Sequence, residues 1–238
     1  MVGKTGNLRV VRKQKISRKM EELERKSAEK GEGQALSAAF IGVARHRMGR
    51  DGKGVTTLAA FHGCSLRCQY CLNPACLDSR KQFPRYTPEQ LYDKTAIDNL
   101  YFLATGGGIC FGGGEPLLQA DFICRFREIC NPDWKITVET SLSVPPENLQ
   151  AVAAVTDAFI VDIKDTNDTI YQAYTGRSNR QALSNLEWLL QTAGAERVMV
   201  RVPLIPDFNT EEDRQRSVEL LRAMGVQQLD LFTYRVKE

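Results

Sequence analysis

Three cysteines stand within eight residues, Cys64-Ser-Leu-Arg-Cys68-Gln-Tyr-Cys71, at C-x3-C-x2-C spacing. Thiolates clustered this closely are soft ligands suited to iron–sulfur or zinc. Three is one short of the four that a closed structural site takes, and no histidine follows Cys71 closely enough to complete the set. A site lacking one ligand is an open site, where chemistry can take place. The cysteines follow Thr57-Leu-Ala-Ala-Phe61, an apolar run that reads as a buried strand.

About 40 residues further on, Ile109-Cys-Phe111 reads as a short strand and runs into Gly112-Gly113-Gly114-Glu115-Pro116. Glycines let a backbone approach a ligand closely and take conformations that a Cβ forbids. The Glu115 carboxylate offers a charge-assisted acceptor to an ammonium group. Taken singly, the glycine run could be a plain loop and the three cysteines a zinc knuckle.

These residues need a frame. The 238 residues fit one large α/β domain. Candidate strands are Val55–Phe61, Ile109–Phe111, Lys135–Glu139, Phe159–Lys164, Val198–Leu204 and Leu229–Tyr234. Candidate helices between them are Pro88–Ala104, Leu117–Cys130, Pro146–Val155, Gln181–Thr192 and Glu211–Met224. Thr87-Pro88-Glu89 and Thr210-Glu211-Glu212 are helix starts, a cap residue followed by acid in the first turn. Such alternation implies right-handed βαβ units around a parallel sheet. A closed (β/α)8 barrel needs eight strands and only six are counted, so the barrel is expected to be open. Both motifs fall just after strands, on the face where βα loops converge. Three other strand ends reach that face: Val138-Glu139-Thr140-Ser141, Val161-Asp162-Ile163-Lys164-Asp165, and Val200-Arg201 through Pro206. In an arbitrary α/β protein each would read as a strand leaving the core into a polar loop.

The cysteine spacing, with Tyr70 before its third member, and the G-G-E-P element resemble the radical S-adenosylmethionine (SAM) superfamily. More narrowly, Gly63 to Tyr234 resembles the activating enzymes of glycyl radical enzymes. The match rests on Cys64–Cys71, Gly113–Gln119, Val161-Asp162-Ile163-Lys164, Tyr174-Thr-Gly-Arg-Ser-Asn179 and Arg201 through Asn209. Upstream, Asp51-Gly-Lys-Gly54 is similar to the family's D-G-P-G turn, with Lys53 for proline. The resemblance implies an open (β/α)6 partial TIM barrel over residues 39–238, preceded by a basic helical extension over 1–38.

It also implies roles. Cys64, Cys68 and Cys71 would ligate a [4Fe–4S] cluster whose fourth iron is chelated by SAM, and the Tyr70 carbonyl would face the adenine amine. Gly113, Gly114 and Glu115 would hold the SAM ammonium. Glu139 and Thr140, followed by Ser141, would join Asp162 around a monovalent cation near the SAM carboxylate. Lys164 and Arg201 would contact that carboxylate, the ribose or the substrate backbone, and Val202 and Leu204 would pack on adenine. A cationic pair inside a barrel is otherwise hard to justify, because buried charges need partners. The implied reaction is one-electron cleavage of SAM to methionine and a 5′-deoxyadenosyl radical, which takes hydrogen from a glycine Cα of a partner enzyme. Flavodoxin or ferredoxin as electron donor and anaerobic use go with it. Another radical SAM enzyme, acting on a peptide or small metabolite, and a noncatalytic zinc or iron–sulfur protein are the alternatives.

The chain departs from the family at two places. Thr233-Tyr234-Arg235 stands where the family has a SAM-contacting histidine after Pro-Tyr, and arginine cannot be a neutral acceptor. The chain also stops at Glu238, some tens of residues early, so another segment is expected to cover the last strand. The N-terminus is the candidate. Residues 1–30 carry ten Lys/Arg against four Glu, whereas the remainder carries 22 basic and 25 acidic residues. Ile16, Met20 and Leu23 give that segment a narrow apolar stripe. A solvated helix, packing on the open edge and docking of an acidic partner are its three readings; no nucleic-acid recognition motif accompanies the charge.

Seven cysteines, no secretory signal and no membrane-length apolar run point to a reducing cytoplasm. Cys110, Cys124 and Cys130 read as small buried hydrophobes, while Cys76 is close enough in sequence to touch the cluster region. His46 and His62 are the only histidines, which argues against ordinary acid–base catalysis, and no phosphate-binding G-x4-G-K-[ST] pattern is present.

Overall fold

The computed structural model describes residues 35–234; the basic segment with Ile16, Met20 and Leu23, and Arg235, lie outside the described residues. In chain order the elements are β1 (Ala38–Met48), β2 (Val55–Phe61), β3 (Arg85–Tyr86), α1 (Pro88–Ala96), α2 (Asn99–Thr105), β4 (Gly108–Gly113) and α3 (Ala120–Ile129). Then come β5 (Lys135–Thr140), α4 (Pro146–Ala153), β6 (Ala158–Asp162), α5 (Asp168–Thr175), α6 (Arg180–Ala193), β7 (Val198–Leu204), α7 (Glu211–Ala223) and β8 (Gln228–Thr233). Short 3-10 turns precede the cysteine-side strand β3 (Pro74–Leu77), α3 (Pro116–Gln119) and β7 (Ala195–Arg197).

One sheet holds all eight strands in the order β3-β1-β2-β4-β5-β6-β7-β8. From β2 onward every neighbouring pair is parallel, giving the six parallel strands of an open, partial barrel-like core. β1 is antiparallel to both β2 and β3. Sequence periodicity does not reveal β1, because irregularities between Phe40 and Gly42 and between Ala44 and Arg47 break its alternation.

The helix expected over Pro88–Ala104 is two helices that break at Ile97-Asp98. The Asp98 carboxylate accepts from Arg45 on β1 (2.8 and 2.5 Å) and from Thr57 on β2 (3.0 Å), which a continuous helix would not allow. α5 is absent from the sequence-based expectation, yet its signals are present: Asn167 caps its first turn and Gly176 closes it at φ +77°. The capped starts expected at Thr87 and Thr210 are capping boxes, completed by Gln90 and Asp213.

Phe40, Phe61, Phe111, Phe122 and Phe126 are fully buried. Their rings run from β1 through β2 and β4 to α3, with centroids 4.5 Å apart for Phe40–Phe61, 5.6 Å for Phe61–Phe111 and 5.3 Å for Phe111–Phe126. Burying one such ring contributes roughly 2–3 kcal/mol. This row therefore locks together the two strands whose C-terminal ends carry the cysteine loop and the glycine run.

Candidate active site

The ends of β2 and β4 are tied backbone to backbone. Gly114 N donates to Phe61 O (2.9 Å) and Glu115 N to Gly63 O (2.8 Å). A Cβ at position 114 would lie 2.0 Å from Gly63 O, so only glycine lets the two loops meet. Gly113, at φ +90°, turns the chain into this junction. Asn73 Nδ2 closes it from the far side by donating to Gly113 O (3.2 Å).

The cysteine loop rests on α5. Arg67 N donates to Thr175 O (2.9 Å) and Gln69 N to Tyr174 O (3.1 Å), so the last carbonyls of that helix find their partners in the loop. Arg177 Nε reaches Ser65 O (2.8 Å), and Tyr70 OH donates to Asp207 Oδ2 (2.9 Å) in the loop after β7. Cys64, Cys68 and Cys71 thus face one cleft, whose walls also include Leu66, Leu72, Asn73, Gly113, Gly114, Glu115, Glu139, Thr140, Ser141, Asp162, Lys164 and Tyr234. All three cysteines are free thiols. Burial raises the thiol pKa of Cys64 to about 11 and also raises that of Cys68, whereas a hydrogen bond with Cys76 draws Cys71 down.

Glu115 is almost wholly buried, 1 % exposed. Its Oε1 accepts from Thr140 Oγ1 (2.6 Å) and Leu117 N (3.2 Å), and its Oε2 from Ser141 N (2.9 Å) and Ser141 Oγ (2.7 Å). Four donors fill the carboxylate's acceptor positions. Burial raises its pKa against the pull of these bonds. The sequence reading has Glu115 as a free acceptor; in the fold it is a knot between the ends of β4 and β5.

Lys164 Nζ lies 3.1 Å from Tyr234 OH and 3.4 Å from Asp162 Oδ2. Burial alone would lower its pKa, but Asp162, Tyr234 and Cys68 together carry it well above the usual lysine value. Arg201 is engaged otherwise: it ion-pairs with Glu139, donates to Arg50 O (3.0 Å) and lies 3.5 Å from Asp230 Oδ2. Burial raises the Glu139 pKa, with Asp162 adding to the effect and Arg201 opposing it. Both carboxylates expected around a monovalent cation therefore already hold a protein cation. The Thr140 hydroxyl is likewise committed, to Glu115 and to Leu142 N (2.9 Å).

Of the residues singled out from sequence, the cleft brings together the three cysteines, Gly113 to Glu115, Glu139 to Ser141, Asp162 and Lys164. It does not include Tyr70, Arg201, Val202 or Leu204. Val202 and Leu204 alternate to the opposite face of β7 from Arg201. Leu66, Leu72, Asn73 and Tyr234 are cleft residues to which the sequence reading gave no role; Leu66 lies among the cysteines and Leu72 and Asn73 directly follow them, whereas Tyr234 arrives from the far end of the described chain.

Among the described residues no three His, Cys, Asp or Glu side chains close around a point that could hold one metal ion. Three thiols lining one cleft fit a multi-iron cluster, and the carboxylates, lysine and glycines that line the same cleft are donor and acceptor types suited to a zwitterionic ligand.

Comparison with known proteins agrees with this donor set. Residues 59–221 match the radical SAM superfamily. The chain is 34% identical over 222 residues to the (2S)-3-sulfopropanediol dehydratase activating enzyme of Klebsiella oxytoca, covering 68% of this chain and 69% of that one. It is 28% identical over 186 residues to the pyruvate formate-lyase-activating enzyme of Clostridium pasteurianum, covering 77% of each. The Escherichia coli K12 pyruvate formate-lyase 1-activating enzyme is 30% identical over 189 residues, 77% of this chain and 76% of its own. In fold, the chain is similar to Streptococcus suis SuiB bound to the precursor peptide SuiA, with a TM-score of 0.59 at 12% identity over 75% of this chain and 38% of that longer one. The chain belongs to the radical SAM superfamily, among the activating enzymes that these relatives represent.

Proposed function

We propose that this protein uses a [4Fe–4S] cluster and SAM to install a glycyl radical on a partner enzyme. The observation that carries the proposal is the meeting of three free thiols with Gly113, Gly114 and Glu115 in one cleft. Cys64, Cys68 and Cys71 would hold the cluster, and loading it must release protons from the two thiols that burial keeps protonated. When bound, cluster and SAM supply reductive cleavage of the sulfonium and a carbon radical able to take a hydrogen atom from a C–H bond.

The chain's own residues supply binding and position. Gly113 and Gly114 would hold the SAM ammonium beside Glu115, whose carboxylate would act through charge because its acceptor positions are filled. Lys164, lining the cleft beside Asp162, would be the cation for the SAM carboxylate. Arg201 has the supporting role of holding Glu139 and the loop at Arg50. The buried Leu66 and Tyr234 would keep water from the reacting groups. A monovalent cation near Glu139, Thr140 and Asp162 would have to compete with Arg201 and Lys164. Val202 and Leu204 support β7 from outside the cleft.

The partner is a glycyl radical enzyme, flavodoxin or ferredoxin is the electron donor, and the reaction belongs to an anaerobic cytoplasm. The free thiols of Cys64, Cys68 and Cys71 support that compartment. No helix among the described residues is long and apolar enough to cross a membrane. The test is incubation of reduced, cluster-loaded protein with SAM and a glycine-centred peptide bearing deuterium at Cα. Deuterium in the recovered 5′-deoxyadenosine supports the assignment; label confined to peptide, alongside turnover of SAM, refutes a glycine substrate.

A further inference from the structure

Among the described residues that line the cleft, Lys164 is the one cation. It is 7 % exposed and stands two residues past the end of β6, on a long flexible stem. Its ammonium has three N–H groups. One meets Asp162 Oδ2 (3.4 Å), a near neighbour in the chain, and another donates to Tyr234 OH (3.1 Å), 70 residues away. The third is left for an acceptor in the cleft. Tyr234 also lines the cleft, just past the end of β8, and is itself fixed. Its backbone N donates to Leu204 O (2.9 Å) at the end of β7, and its ring packs against Tyr174 and Phe232, with centroids 6.1 and 5.2 Å away. Lys164 Nζ lies 5.8 Å from the ring centre, so it meets the hydroxyl end of the phenol rather than the ring face. The Lys164–Asp162 contact is stretched, since a charge-assisted bond of this kind closes to about 2.7–2.9 Å when nothing opposes it. Tyr234, pulling from another strand, holds the nitrogen off.

We propose that Tyr234 is a positioning residue that keeps the Lys164 ammonium from closing on Asp162, and so holds it ready for the carboxylate of SAM. The site is thereby selective for ligands that carry that carboxylate. This inference rests on the function proposed above. Tyr234 acts through Lys164 and need not touch SAM. A side chain that is already ordered loses little freedom on binding, so its preorganisation adds to affinity. Without the hydroxyl the ammonium keeps Asp162 alone and collapses onto it, which leaves a second carboxylate to compete for the same charge.

Tyr234→Phe keeps the ring and removes the oxygen. Cluster-loaded wild type and variant are titrated with radiolabelled SAM by equilibrium dialysis. Decarboxylated SAM, which keeps the ammonium and the sulfonium, is then added as competitor. The variant should load as much iron as the wild type. Loss of one bond to a charged group should raise the Kd for SAM about tenfold, while the Kd for decarboxylated SAM stays within about twofold. In a Lys164→Met background the same change should alter SAM binding by less than about twofold, because the group through which it acts is gone. Unchanged affinity for SAM, or equal losses for the two ligands, overturns the inference. So does a variant that no longer loads iron, since the hydroxyl would then act on the thiol loop. A wild-type protein that loads no iron, or loads it and binds no SAM, would instead sink the function on which the inference rests.

Discussion

Replacing Glu115 by glutamine separates two accounts of this residue, a free ligand for SAM and a knot in the fold. The amide keeps one acceptor oxygen and presents an NH2 group where the other carboxylate oxygen stood. The oxygen faces Ser141, whose backbone N–H makes the shorter bond (2.9 Å against 3.2 Å for Leu117 N), which leaves the NH2 toward Leu117 N and Thr140 Oγ1. Leu117 N loses its side-chain acceptor, and Thr140 can accept from the amide only by giving up its own donation. Hydrogen bonds to a charged group contribute about 1.5–3 kcal/mol each, and a buried donor left alone costs about 1–3 kcal/mol. Against this, the neutral amide avoids the burial penalty that raises the Glu115 pKa. The net loss is about 2–3 kcal/mol, or roughly 5–10 °C in Tm for a chain of this size. The assay is thermal unfolding of cluster-free protein under reducing conditions, with Ser141→Ala and the double variant to measure coupling. Coupling of about 1 kcal/mol or more is expected for groups in one network. An unchanged Tm together with lost SAM binding would refute the knot and restore the free ligand.

Three further outcomes follow from the same structure. Gly114→Ala puts a Cβ against Gly63 O, where backbone must move, so it should cost about 3 kcal/mol and reduce iron loading measured after reconstitution. Asp98→Asn should cost about 2 kcal/mol in urea unfolding, since it weakens bonds from Arg45 and Thr57 at a buried site. Those bonds, the Arg45 bond foremost, hold the Asp98 carboxyl below its usual 3.8; the wild type therefore has the full contribution above 3.8 and loses it as pH falls further, a loss that the variant should lack. Adding K+ at constant ionic strength should leave the Tm of cluster-free protein within about 1 °C; a bound ion at a hundredfold excess over its Kd would raise it by roughly 5 °C or more.

The parts that were legible in sequence are those whose chemistry is compressed into a few consecutive residues. The C-x3-C-x2-C loop and the glycine run identify themselves through residue type and spacing, and β2 and β7 match to the residue because they are short apolar runs. What was not legible depends on residues distant in sequence. The pairing of Arg201 with Glu139 and Asp230 follows from strand register, which sets Arg201 beside Asp162 on one side and Asp230 on the other. Glu115 looks free until β5 brings Thr140 and Ser141 to it. Strand alternation alone sets Val202 on the other face of β7 from Arg201. α5 escaped because eight residues with two buried tyrosines give too short a pattern to register as a helix.

The most direct test of the central claim is anaerobic reconstitution with iron and sulfide, reduction, and measurement of 5′-deoxyadenosine formed from SAM, with Cys68→Ala alongside. The account expects about four irons per wild-type chain and steady 5′-deoxyadenosine, with neither cluster nor product from the variant. A colourless wild-type protein that holds one zinc and leaves SAM intact would contradict it.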